Sequence, residues 1–191
     1  MMNDKAIPSD AVGASVTASN SVAARMMAGG VYTVQCFDKD GNLKWEDKAH
    51  NLVVNQGLKD MNDKYFSGST YTAAWYLGLI TGPGSGTTYA ATDTLASHAG
   101  WTEFTNYTGN RGSISFGAAT LADPSVITNG TAVQFNITGA GGTVAGAFLS
   151  SVATGTAGIL FSESDFQAPG DRAVVSGDIL NVTYTFSLDA A

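Results

Sequence analysis

The stretch DILNVTYTFSL, residues 178–188, alternates without a break. Leu180, Val182, Tyr184, Phe186 and Leu188 fall on one side. Ile179, Asn181, Thr183, Thr185 and Ser187 fall on the other. A period of two held this long fits a β-strand with one apolar face and does not fit a helix. A strand of that kind needs a second layer to cover the apolar face. Shorter runs repeat the signal: VYTVQCF (31–37), NLKWED (42–47), SISF (113–116), AVQFNIT (132–138), VAGAFLSS (144–151) and GILFS (158–162). WYLGLI (75–80) is nearly all apolar and reads as a central strand, buried on both faces. About eight strands with Gly-rich connections predict an all-β sandwich or barrel over residues 31–191. GAGG (139–142) reads as a hairpin between two of them. No repeat of 20–50 residues is present.

The first two strands are joined through DKDGN (38–42), where Asp-Gly supplies the positive φ of a tight turn. The same residues lack the glycine and glutamate spacing of a calcium loop. Between residues 50 and 68 the period changes. Leu58, Met61 and Tyr65 share one face of a short helix, with Lys59, Asp60, Asp63 and Lys64 on its wet side. Asn55 is its expected N-cap and Gly68 its stop. Residues 1–30 hold no aromatic residue and no periodic apolar pattern. They read as an extended arm. Its candidate partner contacts are Val12, Val16, Val22, Arg25, Met26 and Met27.

Composition narrows the function classes. Charged residues make up 13% of the chain, and Gly contributes 23 of 191 positions. This suits a β-protein with a largely neutral surface, of the kind neighbours cover in an assembly. The net charge of −7 argues against direct contact with nucleic acid. The lone Cys36 has no disulfide partner and reads as a small buried hydrophobe. No segment approaches the ~18–20 apolar residues that span a bilayer, and the N-terminus lacks the pattern of a secretory signal. The Asn-x-Ser/Thr triplets at Asn106, Asn129, Asn136 and Asn181 are read as chance in a Thr-rich chain.

The search for chemistry finds little. GPGSG (82–86) has its serine one place off a nucleophile elbow and reads as a loop tip. His50, His98 and Cys36 are too few and too scattered for zinc. No phosphate-binding or dinucleotide fingerprint is present. Glu163 and Asp165 in SESDF are two acids close in sequence, the only pair weighed for glycosidic chemistry. In TLASHAGWTEF (94–104), Thr92 or Asp93 is expected to cap one helical turn that Gly100 ends. Leu95, Trp101 and Phe104 are spaced for burial, and His98 is expected to bond a backbone group. These readings predict no catalytic residue, no metal and no cofactor.

The order of WYLGLI, a Gly-rich loop, ATDTLASHAGWTEFTNY, SFGAA, AGAFLSS, GILFSESDF and SGDILNVTYTFSL resembles a family of small virion proteins of tailed bacteriophages. Some members resemble jelly-roll capsid cement, or decoration, proteins. The resemblance covers about residues 50–188 and is most specific at SHAGWTE and SGDILNVTYT. The arm and the first hairpin (31–48) lie outside it. It implies a jelly-roll-like sandwich and a non-enzymatic protein, made in the host bacterial cytoplasm. It places that protein on the capsid exterior, clamping neighbouring major capsid subunits, in contact with copies of itself as a homo-oligomer and with neither nucleic acid nor membrane. The alternative is a tail or fibre component, such as a glycan-binding sandwich with Tyr71, Tyr89 and Tyr107 on open loops.

Overall fold

The structure, a computed structural model, describes residues 27–71, 74–81, 88–166 and 170–189, which form twelve strands and one helix. The chain is an all-β sandwich, as the alternating pattern predicts. It opens with the expected hairpin of β1 (Met27–Phe37) and β2 (Leu43–Val53). In the turn, Asp38 Oδ1 accepts the N–H groups of Asp40 (2.9 Å) and Asn42 (2.8 Å), and Gly41 sits at φ 84°. The aspartate caps its own loop.

Both strands outrun their sequence signal. β1 begins at Met27, inside the segment read as arm, so residues 27–30 belong to the sheet. β12 (Ile179–Asp189) is the cause. It pairs with β1 along its whole length, from Met27↔Asp189 to Phe37↔Ile179. Gly30 is needed for that approach, since a Cβ there would lie 2.6 Å from the Thr185 carbonyl oxygen.

α1 (Asn55–Tyr65) follows. Val54 is its N-cap and makes no side-chain cap, while Asn55 is the first helical residue, its N–H donating to Ala91 O at 2.8 Å. The expected inward face is also corrected. Tyr65 is 83% exposed and Leu58 41%, whereas the buried position is Gly57. A Cβ on Gly57 would stand 2.3 Å from the Phe161 carbonyl oxygen. The helix thus packs backbone against backbone, and its smallest residue sets the face. Met61 is half-buried beside it, and Asp60 and Lys64, read as wet, are partly shielded. Gly68, at φ 65°, follows the helix end as expected.

The remaining strands are β3 (Trp75–Thr81), β4 (Thr102–Phe104), β5 (Gly112–Ile114), β6 (Ser125–Thr128), β7 (Val133–Asn136), β8 (Gly142–Val144), β9 (Gly146–Ser150), β10 (Leu160–Ser164) and β11 (Arg172–Val174). The main sheet runs β4-β3-β9-β10-β2-β1-β12-β6. β5 shares the outer edge of β3 with β4, and β7 shares the outer edge of β12 with β6. Residues 51–53 of β2 pair with 162–164 of β10 and join the two halves. There the sheet folds over, because one apolar cluster draws Tyr32, Val34, Val182 and Tyr184 from one half and Leu77, Leu79, Leu149 and Phe161 from the other. The far side closes too. A Cβ on Gly112 would stand 2.0 Å from Val133 Cγ1, and Tyr107 bridges to Ile137. β8 and β11 form a separate ribbon.

WYLGLI is the central strand it reads as, paired on both edges. VAGAFLSS, expected as one strand, divides at Ala145. A Cβ on Gly146 would lie 1.9 Å from the Ser164 carbonyl oxygen, so β9 passes close to the end of β10. GAGG is therefore not a hairpin. It carries the chain from β7, paired with β12, to β8, paired with β11, using positive φ at Gly139 and Gly141. Cys36 is buried, and burial pushes its thiol up to about 12.

In β12, Leu180, Val182 and Tyr184 are fully buried, but Phe186 is only partly so. Phe135→Ala is expected to cost about 3–5 kcal/mol in chemical denaturation. Phe186→Ala should cost less, about 1–2 kcal/mol. The reverse order would contradict the register of β12. Gly57→Ala should destabilise by at least about 1 kcal/mol, against the usual helix preference for alanine.

Candidate functional site

Five of the six candidate partner contacts, Val12, Val16, Val22, Arg25 and Met26, lie outside the described residues, as does GPGSG. The sixth, Met27, opens β1 opposite Asp189 and is 63% exposed. It is held by strand pairing rather than carried on an arm. Beside it, Ala28 lines an open groove of about 390 Å³ with Leu52, Val53, Leu58 and Met61, while Asn51 and Asn62 supply its polar atoms. At the other end of α1, Tyr65 and Phe66 meet edge to face at 4.9 Å, both exposed, and Tyr71 nearby in sequence is exposed as well. Met27 thus stands beside open apolar surface.

The aromatic residues named for glycan binding do not gather. Tyr107 is buried against Phe135, and the Tyr89 hydroxyl is enclosed without a partner. Tyr71 alone of the three is open.

TLASHAGWTEF is a clasp over the outer face of β3, β9 and β10. Its Leu95 and Trp101 pack with Val54, Ile80, Ala145, Phe148 and Leu160 in a second apolar cluster. The expected helical turn does not form. Thr94 and Ser97 bridge across a tight turn instead, capped by Thr94 Oγ1, which accepts the Ser97 N–H at 3.1 Å. Burying Leu95 in so short a segment favours the tighter reversal. His98 stacks on Trp101 at 3.7 Å, and its Nδ1–H donates to the Trp101 carbonyl at 3.1 Å, the backbone bond expected of it. Glu103 takes both Nε and Nη2 of buried Arg111, at 2.8 and 2.7 Å. That fork fixes the far end of the clasp.

Beneath the clasp lies Glu163, fully buried. A bulge in β10 between Leu160 and Ser162 puts it there. Phe161 enters the main core and Ser162 bonds the Tyr32 hydroxyl at 2.7 Å, so both point inward. Leu160 and Glu163 are left on the outer face. Glu163 Oε2 accepts Trp101 Nε1–H at 2.8 Å, while Oε1 finds no donor. Burial, and after it the Asp93 carboxylate, push its carboxyl up to about 8, against the Trp101 hydrogen bond. The acid that closes on Glu163 is therefore Asp93 of the clasp. Asp165, its neighbour in sequence, is raised by burial and by Asp171. Sequence reading missed this pair because nothing local links positions 93 and 163.

Among the described residues no group of three or more His, Cys, Asp or Glu side chains is placed to hold a metal ion, and no helix is long and apolar enough to cross a membrane. Comparison of the chain with protein-family models, curated proteins and solved structures found no match.

Trp101→Phe keeps an aromatic ring but loses part of the buried indole and the donor to a buried carboxyl, and should cost at least about 1–3 kcal/mol in thermal or chemical unfolding. His98→Ala loses one stacked ring and should cost about 0.5–1.5 kcal/mol. A larger loss for His98→Ala than for Trp101→Phe would contradict these roles.

Proposed function

We propose that this protein is a non-enzymatic virion component of a tailed bacteriophage, a jelly-roll-like capsid cement (decoration) protein that clamps neighbouring major capsid subunits. The observation that carries the reading is the seat of β1. The strand from which residues 1–26 depart is paired along its length with β12 on one edge and over most of its length with β2 on the other. A pull on the N-terminus runs along β1 and loads both hydrogen-bond ladders in shear, across bonds that lie perpendicular to the strand. That is a mechanically sound anchor for a tether. Exposed Met27 and the groove beside it give apolar area near the anchor for a capsid subunit or a second copy to cover, and the exposed Tyr65–Phe66 pair at the end of α1 adds more. The surface carries few charges to strand when it is covered. Weak contacts repeated over a shell add by avidity. Val12, Val16, Val22, Arg25, Met26 and Met27 are the contacts in this reading.

A tail or fibre position is the second reading, favoured by exposed Tyr65, Phe66 and Tyr71. Heads with and without the protein separate the two. In the cement reading, heads lacking it assemble but rupture at lower temperature. A chain starting at Met27 should fold with unchanged stability yet bind heads at least about tenfold more weakly. Equal rupture temperatures, or detection on the tail alone, would overturn the cement reading. Undiminished binding by the shortened chain would overturn the tether.

A further inference from the structure

The Glu163 carboxyl stands in a place two acceptors cannot share unless one holds a proton. It is wholly enclosed, and Oε2 is satisfied by Trp101 Nε1–H at 2.8 Å. Oε1 has no hydrogen-bond partner, and both the Asp93 carboxyl and the Ala90 N–H of the clasp come close to the Glu163 carboxyl. Asp93 is fixed in place from its own side, where Oδ2 accepts the Ala90 N–H at 3.2 Å and its N–H donates to Ala90 O at 2.8 Å. Two ionised carboxylates facing each other, Glu163 buried and Asp93 half-buried, would repel, and desolvation of Glu163 would add to the cost.

Around the pair, the Trp101 and Ala90 N–H groups favour ionised Glu163, and the remaining groups do not offset the charge. From β1, Tyr32 approaches, its hydroxyl already bonded to Ser162. From the clasp, the enclosed and unpartnered Tyr89 hydroxyl lies within the field of Glu163, Asp165 and Asp171. Across the ladders Glu163 stands opposite Phe148 and Leu52, both apolar. Arg111 lies over the Phe148 ring at 5.1 Å but is committed to Glu103. His98 covers Trp101 and gives its Nδ1–H to the Trp101 carbonyl. No three of the described acids come together as a metal site.

We propose that Glu163 and Asp93 share one proton, and that this acid–carboxylate bond, with the Trp101 N–H, latches the clasp of residues 88–101 onto β10. The latch is strongest in acid, weakens through neutral pH and is open in alkali. The sign follows from the proton. The folded chain releases it near 8, whereas a free glutamate releases it near 4.5. The stabilising contribution is complete below 4.5, declines between these values and is gone above about 8. Once Glu163 ionises, two negative charges face each other under the clasp, which lifts to admit water.

The test is hydrogen–deuterium exchange of the full chain from about pH 6 to about pH 9.5, corrected for intrinsic exchange rates. Protection of residues 88–101 should fall steadily from about pH 6 and level off above about 8, while β1 and β12 keep theirs. Glu163→Gln, which carries its own donor, should abolish the pH dependence and leave the clasp closed. Asp93→Asn offers a donor to ionised Glu163 and should move the levelling-off to lower pH. Infrared spectroscopy of the unmodified protein needs no variant. The carbonyl band of a protonated carboxylic acid should be present at neutral pH and disappear over the same range. Protection independent of pH, the same dependence in Glu163→Gln, or no acid band at neutral pH would overturn the latch. So would restoration of protection in alkali by added calcium, which would put a cation rather than a proton between the carboxylates.

Discussion

The seat of β1 organises the molecule. Eleven residues near the start of the described chain lie between β2, their immediate neighbour, and β12, the last strand. The local half of that arrangement is a hairpin and forms cheaply. The other half pairs Met27 with Asp189 and brings together the two ends of the sandwich. It carries a large loop-closure cost, recovered only when the core of Tyr32, Val34, Val182 and Tyr184 is buried. Tyr32 and Tyr184 stack at 4.5 Å, and their hydroxyls meet over Ser162 of the opposite half. The polar atoms of the two largest fully buried side chains thus help to align the layers.

Closure of the sheet on itself follows from that pairing. β2 is long enough to serve both halves, bonding β1 along its length and β10 at its end. The β10 bulge, next to the fold-over, sends one acid out of the main core and into the space under the clasp. A backbone irregularity thereby sets where the buried charge lies. The Glu103–Arg111 fork and the Trp101–Glu163 bond hold the clasp at two points, and Leu95 packs beneath it in the second apolar cluster.

For a protein read as a clamp, the division of labour is mechanically consistent. Load arriving through the N-terminus enters the middle of the larger half of the sheet. The clasp and the β8–β11 ribbon are separate from that strand, while α1 borders the groove beside Met27. Exposed Met27 and the groove beside Ala28 lie at the start of that strand. A surface with few charges loses little hydration when it is buried.

Several features were legible from residues alone because their causes are local. Alternation in 178–188 specifies a strand wherever it is placed, and Asp38 with Gly41 dictates a tight turn. Leu95, Trp101 and Phe104 have nowhere favourable to go but inward. The sandwich class follows from many such strands, each with one face to hide. Other features were decided by distant contacts. Gly30 and Gly57 look like loosening residues in sequence but mark close backbone approaches, to Thr185 and to Phe161. Leu58 and Tyr65 follow helical spacing yet stay exposed, because Gly57 chose the contact face. The partition of VAGAFLSS depends on which strand passes Gly146. The pairing of Asp93 with Glu163 depends on a bulge and a clasp from different parts of the chain. A side chain's own preference can be read from its neighbours in sequence, but its electrostatic environment is set by what folding brings against it.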